Sequence, residues 1–151
     1  MRDHDLEQDC PGLQRAPYTI TSPRDPQYNC IAFAVGDITH FWDDVGLPGC
    51  YWPSGVPGSD TITGWTRIFE IHGYTETEDR SLELEYEKIA IYVSPDGPEH
   101  VARQKASGIW TSKTGRGVYI EHALESIEGD FYGKVTKIMK RKCPDGRRVL
   151  E

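Results

Sequence analysis

The sequence predicts an α+β fold, with two N-terminal helices packed against an antiparallel sheet of about four or five strands. Three observations carry this reading. Apolar residues recur at three- and four-residue steps between Asn29 and His72, alternate or run together from Leu82 onward, and are punctuated in the second half by Pro/Gly turns. Helical patterns followed by strand patterns are the order expected of an α+β domain, and 151 residues suffice for a single core.

Taken in order, residues 1–27 are polar and carry Pro11, Pro17, Pro23 and Pro26, which read as an N-terminal arm laid over the core. Residues 28–140 form the domain proper. Ile31, Ala34, Ile38, Phe41, Trp42 and Val45 fall on one helical stripe that should end near Gly46–Leu47–Pro48–Gly49. Cys50 to Gly58, with Tyr51-Trp52-Pro53, reads as an ordered aromatic loop. Ser59 or Asp60 should cap a second helix bearing Ile62, Trp65, Ile68, Phe69 and His72, with Gly73 as its stop. After the acidic turn Thr75–Asp79, the alternation Leu82, Leu84, Tyr86 and the run Ile89–Val93 predict strands. Ser94-Pro95-Asp96-Gly97-Pro98 then turns the chain into a strand near His100–Gln104. Ala106–Gly108 turns it again into Ile109–Ser112. Ile120, Leu124 and Ile127 suggest a short helix, Val135 to Met139 a last strand, and residues 141–151 complete a basic, polar tail that begins at Lys140.

Seventeen Lys and Arg against 24 Asp and Glu give a net charge of -7, so the broad positive field needed for nucleic-acid binding is missing. No stretch approaches the ~20 apolar residues that span a bilayer, and no signal-peptide core follows Met1, which predicts a cytoplasmic protein or one exported by a specialised machine. Cys10, Cys30, Cys50 and Cys143 read as separate thiols in a reducing compartment, Cys10 and Cys143 in polar arms and Cys50 in the aromatic loop. No Cys-x-x-Cys, His-x-x-x-His or phosphate-loop pattern occurs, so no metal and no cofactor are expected. Thiol, imidazole and carboxylate chemistry remain.

Cys30 stands apart among the thiols because Asn29 is a good N-cap and places it in the first turn of an apolar helix, where unpaired N–H groups lower a thiol's pKa. A free cysteine is also among the most buried residue types, so the residue alone fits a structural role equally well. His100 opens a strand after a Pro/Gly turn, a position from which its ring can face a helix packed on the sheet. A strand-edge histidine can also be a solvated surface residue. Asp37 reads as a capping or solvated carboxylate, and His40, His72 and His122 as structural.

Tyr28-Asn29-Cys30-Ile31-Ala32, the strand Lys88–Val93 and His100-Val101-Ala102 resemble the papain-like cysteine hydrolases of the NlpC/P60 and CHAP type. The resemblance covers roughly Tyr28 to Ser112 and implies a Cys-His peptidase or amidase, with a third polar residue on the next strand orienting the imidazole. Twelve positions after His100 that residue is Ser112, with Lys113 beside it. Cys30 would attack the carbonyl, His100 would act as base and acid, and the backbone N–H of Cys30, with Gln27 as a second donor, would hold the oxyanion. Tyr51, Trp52 and Trp110 are candidates to line a substrate groove, against a plain packing role. Asn29-Cys30-Ile31-Ala32, Tyr51-Trp52-Pro53, Glu87-Lys88-Ile89-Ala90 and Trp110-Thr111-Ser112-Lys113 are also similar to segments of an uncharacterised bacterial family with no assigned reaction.

Glutamine deamidation or acyl transfer would use the same residues. A different class of function, a catalytically silent papain-like module that binds a protein partner through the Tyr51-Trp52-Pro53 loop, fits Ile31 directly after the nucleophile and the merely hydroxylic Ser112. A protein or peptide is the partner in either case, and the oligomeric state is not readable from the sequence.

Overall fold

The computed structural model describes residues 2–25, 27–37, 39–115 and 117–143, so Met1, Pro26, Ile38, Arg116 and the tail from 144 lie outside the described residues. The fold is α+β. Its centre is a seven-stranded sheet in which every neighbouring pair is antiparallel. The strands are β1 (Thr19–Ile20), β4 (Thr75–Thr77), β5 (Tyr86–Ser94), β6 (Gly97–Gln104), β7 (Trp110–Lys113), β8 (Tyr119–His122) and β9 (Lys134–Lys142), in the order β1-β8-β7-β6-β5-β9-β4. A separate parallel pair joins β2 (Phe41–Trp42) to β3 (Cys50–Tyr51). The helices are α1 (His4–Asp9), α2 (Cys30–Val35) and α3 (Ile62–Ile71), with 3-10 turns at Pro11–Gln14 and Leu124–Ile127. Seven strands replace the expected four or five because Thr19–Ile20, Thr75–Thr77 and Tyr119–His122, expected as arm, turn and helix, pair into the sheet.

Alternation along the strands sorts the core into two layers. Ile89, Ile91, Val101 and Met139 pack with α2 and α3, while Ala90, Tyr92, Ala102, Trp110, Ile120 and Ile138 pack with Leu6, Cys10, Leu13 and the Leu124–Ile127 turn. The N-terminal stretch is therefore part of the core rather than an arm over it. Asp3 caps α1 by accepting the Leu6 N–H at 3.0 Å, and Leu6, Cys10 and Leu13 are at most 1% exposed. Cys10 and Cys143 are likewise buried, not in polar arms.

Several boundaries move. The first helix stops at Val35 because Gly36 takes the left-handed conformation (φ 87°) and turns its N–H back to Ala32 and Phe33. Phe41 and Trp42 then form a strand. In α3 the cap is Thr61, whose hydroxyl accepts the Gly64 N–H at 3.0 Å, rather than Ser59 or Asp60. Leu82 and Leu84 lie in a loop. It is pinned by the fully buried Lys88, whose ammonium donates to the carbonyls of Asp79 (2.8 Å) and Ser81 (2.7 Å) and pairs with Glu83 at 2.8 Å. Ile120 lies in β8, and only Leu124–Ile127 turns helically. Among the described residues no helix is long and apolar enough to cross a membrane.

Candidate functional site

Cys30 is the first residue of α2 and is partly exposed. The capping carboxamide of Asn29 accepts the Ala32 N–H at 3.2 Å, and it also clamps β2, accepting the Trp42 N–H at 3.2 Å and donating to the Trp42 carbonyl at 2.9 Å. One side chain thus starts the helix and fixes the strand beside it. Pairing between β6 and β7 is confined to Arg103↔Thr111 and Gln104↔Trp110. Past that point a cavity of about 330 Å³ opens, lined by Cys30, by Glu99 and His100 of β6, by Lys113 of β7, and by Tyr28, Trp65 and Tyr132 among others.

Burial pushes the Cys30 thiol up to about 11, outweighing the N–H groups of Val101, Ile31 and Cys30 itself, which point at the sulfur, and the nearby Lys113 ammonium. The expected depression toward neutrality does not occur, because a six-residue helix and three N–H groups do not offset removal of the thiolate from water. His100 is 1% exposed. Its ring stacks on Tyr132 with centroids 4.2 Å apart and an interplanar angle of 22°, and meets Tyr92 at 5.5 Å. Burial, with His122 nearby, pushes its pKa down to about 3, so the imidazole is neutral at pH 7. Its Nε2 is buried without a hydrogen-bond partner, and no hydrogen bond joins it to Cys30.

Lys113 is 2% exposed. Its ammonium donates to the carbonyls of Asp25 and of Gly117, the latter at 2.7 Å, and lies 4.7 Å from the centroid of the Tyr28 ring. Burial lowers its pKa. The structure thus brings Cys30, His100 and Lys113 to one cavity.

The other sequence candidates lie elsewhere. Ser112 is fully buried, 2.7 Å from His122 Nε2. His122 Nδ1 lies 2.7 Å from the Ala123 carbonyl, so it carries the proton and Nε2 accepts the serine hydroxyl. Ser112 therefore orients His122 and not His100, even though His100, paired with Tyr92 of β5, lies on the same face of the sheet. Trp110 is 4% exposed and packs in the core layer of Leu6, Cys10 and Leu13. Gln27 lies in an exposed turn, donating its N–H to Asp25, outside the cavity wall. Tyr51 and Trp52 border a different surface depression beside Asp43 and Asp44, and the Trp52 indole donates to the Pro57 carbonyl. Asp37 is partly buried, yet donors on Thr39, Trp42 and His40 hold its carboxyl far below the usual range.

Tyr132, which seats His100, escapes the sequence analysis. The available signal is the pair Gly129 and Gly133, which bridge to each other and form a tight turn around it. Among the described residues no group of three His, Cys, Asp or Glu side chains converges as a metal site.

Residues 19–140 match the model of a family described as a domain of unknown function (DUF7689). No curated protein and no solved structure matches the chain.

Proposed function

The chain belongs to the DUF7689 family, and we propose that it is a cysteine hydrolase of papain-like architecture, cleaving an amide bond of a protein or peptide through Cys30 and His100. The observation that supports this most is their convergence on one cavity, a thiol at a helix start and a buried imidazole with a free Nε2. His100, neutral at pH 7, takes the thiol proton in the same step in which the sulfur bonds to the carbonyl carbon, because a ring depressed to about 3 does not ionise a thiol raised to about 11 beforehand. The oxyanion takes the Cys30 N–H, the C–N bond breaks, and the imidazolium returns the proton to the amine. Water, activated by the same ring, then cleaves the thioester. Tyr132 rather than Ser112 holds the ring by stacking. The four cysteines are free, which fits work in the reducing cytoplasm.

A second reading, a catalytically silent binding module, draws on the missing Cys30–His100 hydrogen bond and the raised thiol. Alkylation separates the two. With iodoacetamide at pH 7 on the full chain, mass spectrometry should find Cys30 modified ahead of Cys50, and His100→Ala should slow Cys30 at least about tenfold. Equal Cys30 rates in the two proteins would leave the silent module as the better account.

A further inference from the structure

Lys113 ends β7 with its ammonium inside the protein, held by two backbone carbonyls and the Tyr28 face but by no carboxylate within 4 Å among the described residues. The other buried lysine among the described residues, Lys88, is neutralised by Glu83 at 2.8 Å. A buried ammonium without a counter-ion is unfavourable unless something charged joins it. Of the two acids on the same cavity, Glu99 is engaged by the Ser94 hydroxyl at 2.9 Å, and Asp25, held by the Gln27 N–H at 2.9 Å, acts on Lys113 only from beyond ion-pair distance. A second group in the cavity also lacks a partner, the Nε2 of His100.

We infer that the cavity takes a ligand bearing a carboxylate, which pairs with Lys113 while its neighbouring acyl carbon lies over Cys30. The substrate class is then an amide whose acyl part carries a carboxylate close to the scissile carbonyl, as in an acidic peptide or a γ-glutamyl amide. This rests on the hydrolase reading for what happens at Cys30, but the carboxylate site can stand without it. Among the described residues, Tyr28, Tyr132, Cys30 and His100 also line this cavity, and all four are uncharged at neutral pH.

Two reagents of nearly equal size test the idea, iodoacetate and iodoacetamide. Free thiols of glutathione set the reference ratio of their rates. Cys30 should favour iodoacetate by about tenfold or more relative to that reference, and Lys113→Met should abolish the preference. The ratio cancels any change in thiol reactivity shared by both reagents. As a second measurement, succinate should raise the Tm of the wild-type chain and succinamide should not, with the succinate shift lost in Lys113→Met. An iodoacetate ratio equal to that of glutathione, or a preference retained in the variant, would overturn the proposal. If Cys30 resists both reagents the hydrolase reading falls, and the succinate shift alone decides the carboxylate site; if Lys113→Met does not fold, the wild-type ratio and the succinate-succinamide contrast decide it.

Discussion

Replacing Asn29 by alanine removes three hydrogen bonds at once, one to the first turn of α2 and two to the backbone of Trp42. Loss of an N-cap costs about 1 kcal/mol. The Trp42 residue is 6% exposed, so its stranded N–H and carbonyl add about 1–3 kcal/mol between them. The sum is about 2–4 kcal/mol, which for a chain of this size lowers Tm by roughly 5–15 °C. Asn29→Asp separates the two roles. The carboxylate still accepts both N–H groups but faces the Trp42 carbonyl without a donor, so it should fall between wild type and alanine. Urea unfolding followed by tryptophan fluorescence measures both variants, since Trp42 and Trp65 share a core with α2. A loss below about 1 kcal/mol in Asn29→Ala would refute the claim that this side chain fixes β2 to the site helix.

Other expectations follow from the same geometry. His100 and His122 are depressed to about 3 and about 4, mainly by burial, so the fold favours their neutral forms. Their contribution is complete above the ordinary histidine value of about 6.5 and falls with each pH unit below it by about 1.4 kcal/mol per ring, until the folded-state values are reached; acid unfolding of His122→Asn should show a shallower slope. Tyr132→Leu should slow Cys30 alkylation toward the His100→Ala rate while Tyr132→Phe, which keeps the stack, preserves it; equal rates in Leu and Phe variants would deny the positioning role. Lys88→Met should cost about 2–4 kcal/mol in urea unfolding by leaving two carbonyls unpaired and Glu83 with Lys140 alone. Gly133→Ala should cost at least about 3 kcal/mol, because its φ is +81° and an added Cβ would meet the Val93 carbonyl oxygen at 2.2 Å.

Local rules with a steric or hydrogen-bonding cause were legible; those decided by distant partners were not. The Asn29 cap, the Pro95–Gly97 turn region and the β5–β6 hairpin are short-range, and the structure has them. The stripe from Ile31 to Val45 looked continuous because the spacing of Phe41 and Trp42 matches a helix by coincidence. Gly36 ends the helix, and Asp37, accepting from the Trp42 indole at 2.9 Å, turns the chain into β2. Leu6 and Leu13 were too sparse to announce a core segment, yet the far side of the sheet needed covering and they cover it. At the site, Cys30, His100 and Lys113 could be found by residue type and spacing. Ser112 shares the face of His100, but its hydroxyl is taken by His122 at 2.7 Å, a partner that only the pairing of β7 with β8 brings near, and Tyr132 sits in a turn whose proximity to β6 exists only after β9 pairs with β5.

The location of the cavity follows from unequal strand lengths. The strand β6 has eight residues and β7 four, and their pairing ends at Arg103 and Thr111. The Val101 N–H, with no β7 partner, points to the Cys30 sulfur instead. His100 stands next in line on the unpaired stretch, and Lys113 is the last residue of the strand that stops short. A sheet that zipped fully would satisfy these groups against each other and leave no opening. By stopping after two pairs, it leaves a thiol, an imidazole and an ammonium around one space at the head of α2, with the backbone of Asp25 and Gly117 steadying the ammonium. The same arrangement explains why burial dominates their ionisation: each group comes from a structured element with most of its surroundings already packed, so its charged form gives up water without a full replacement.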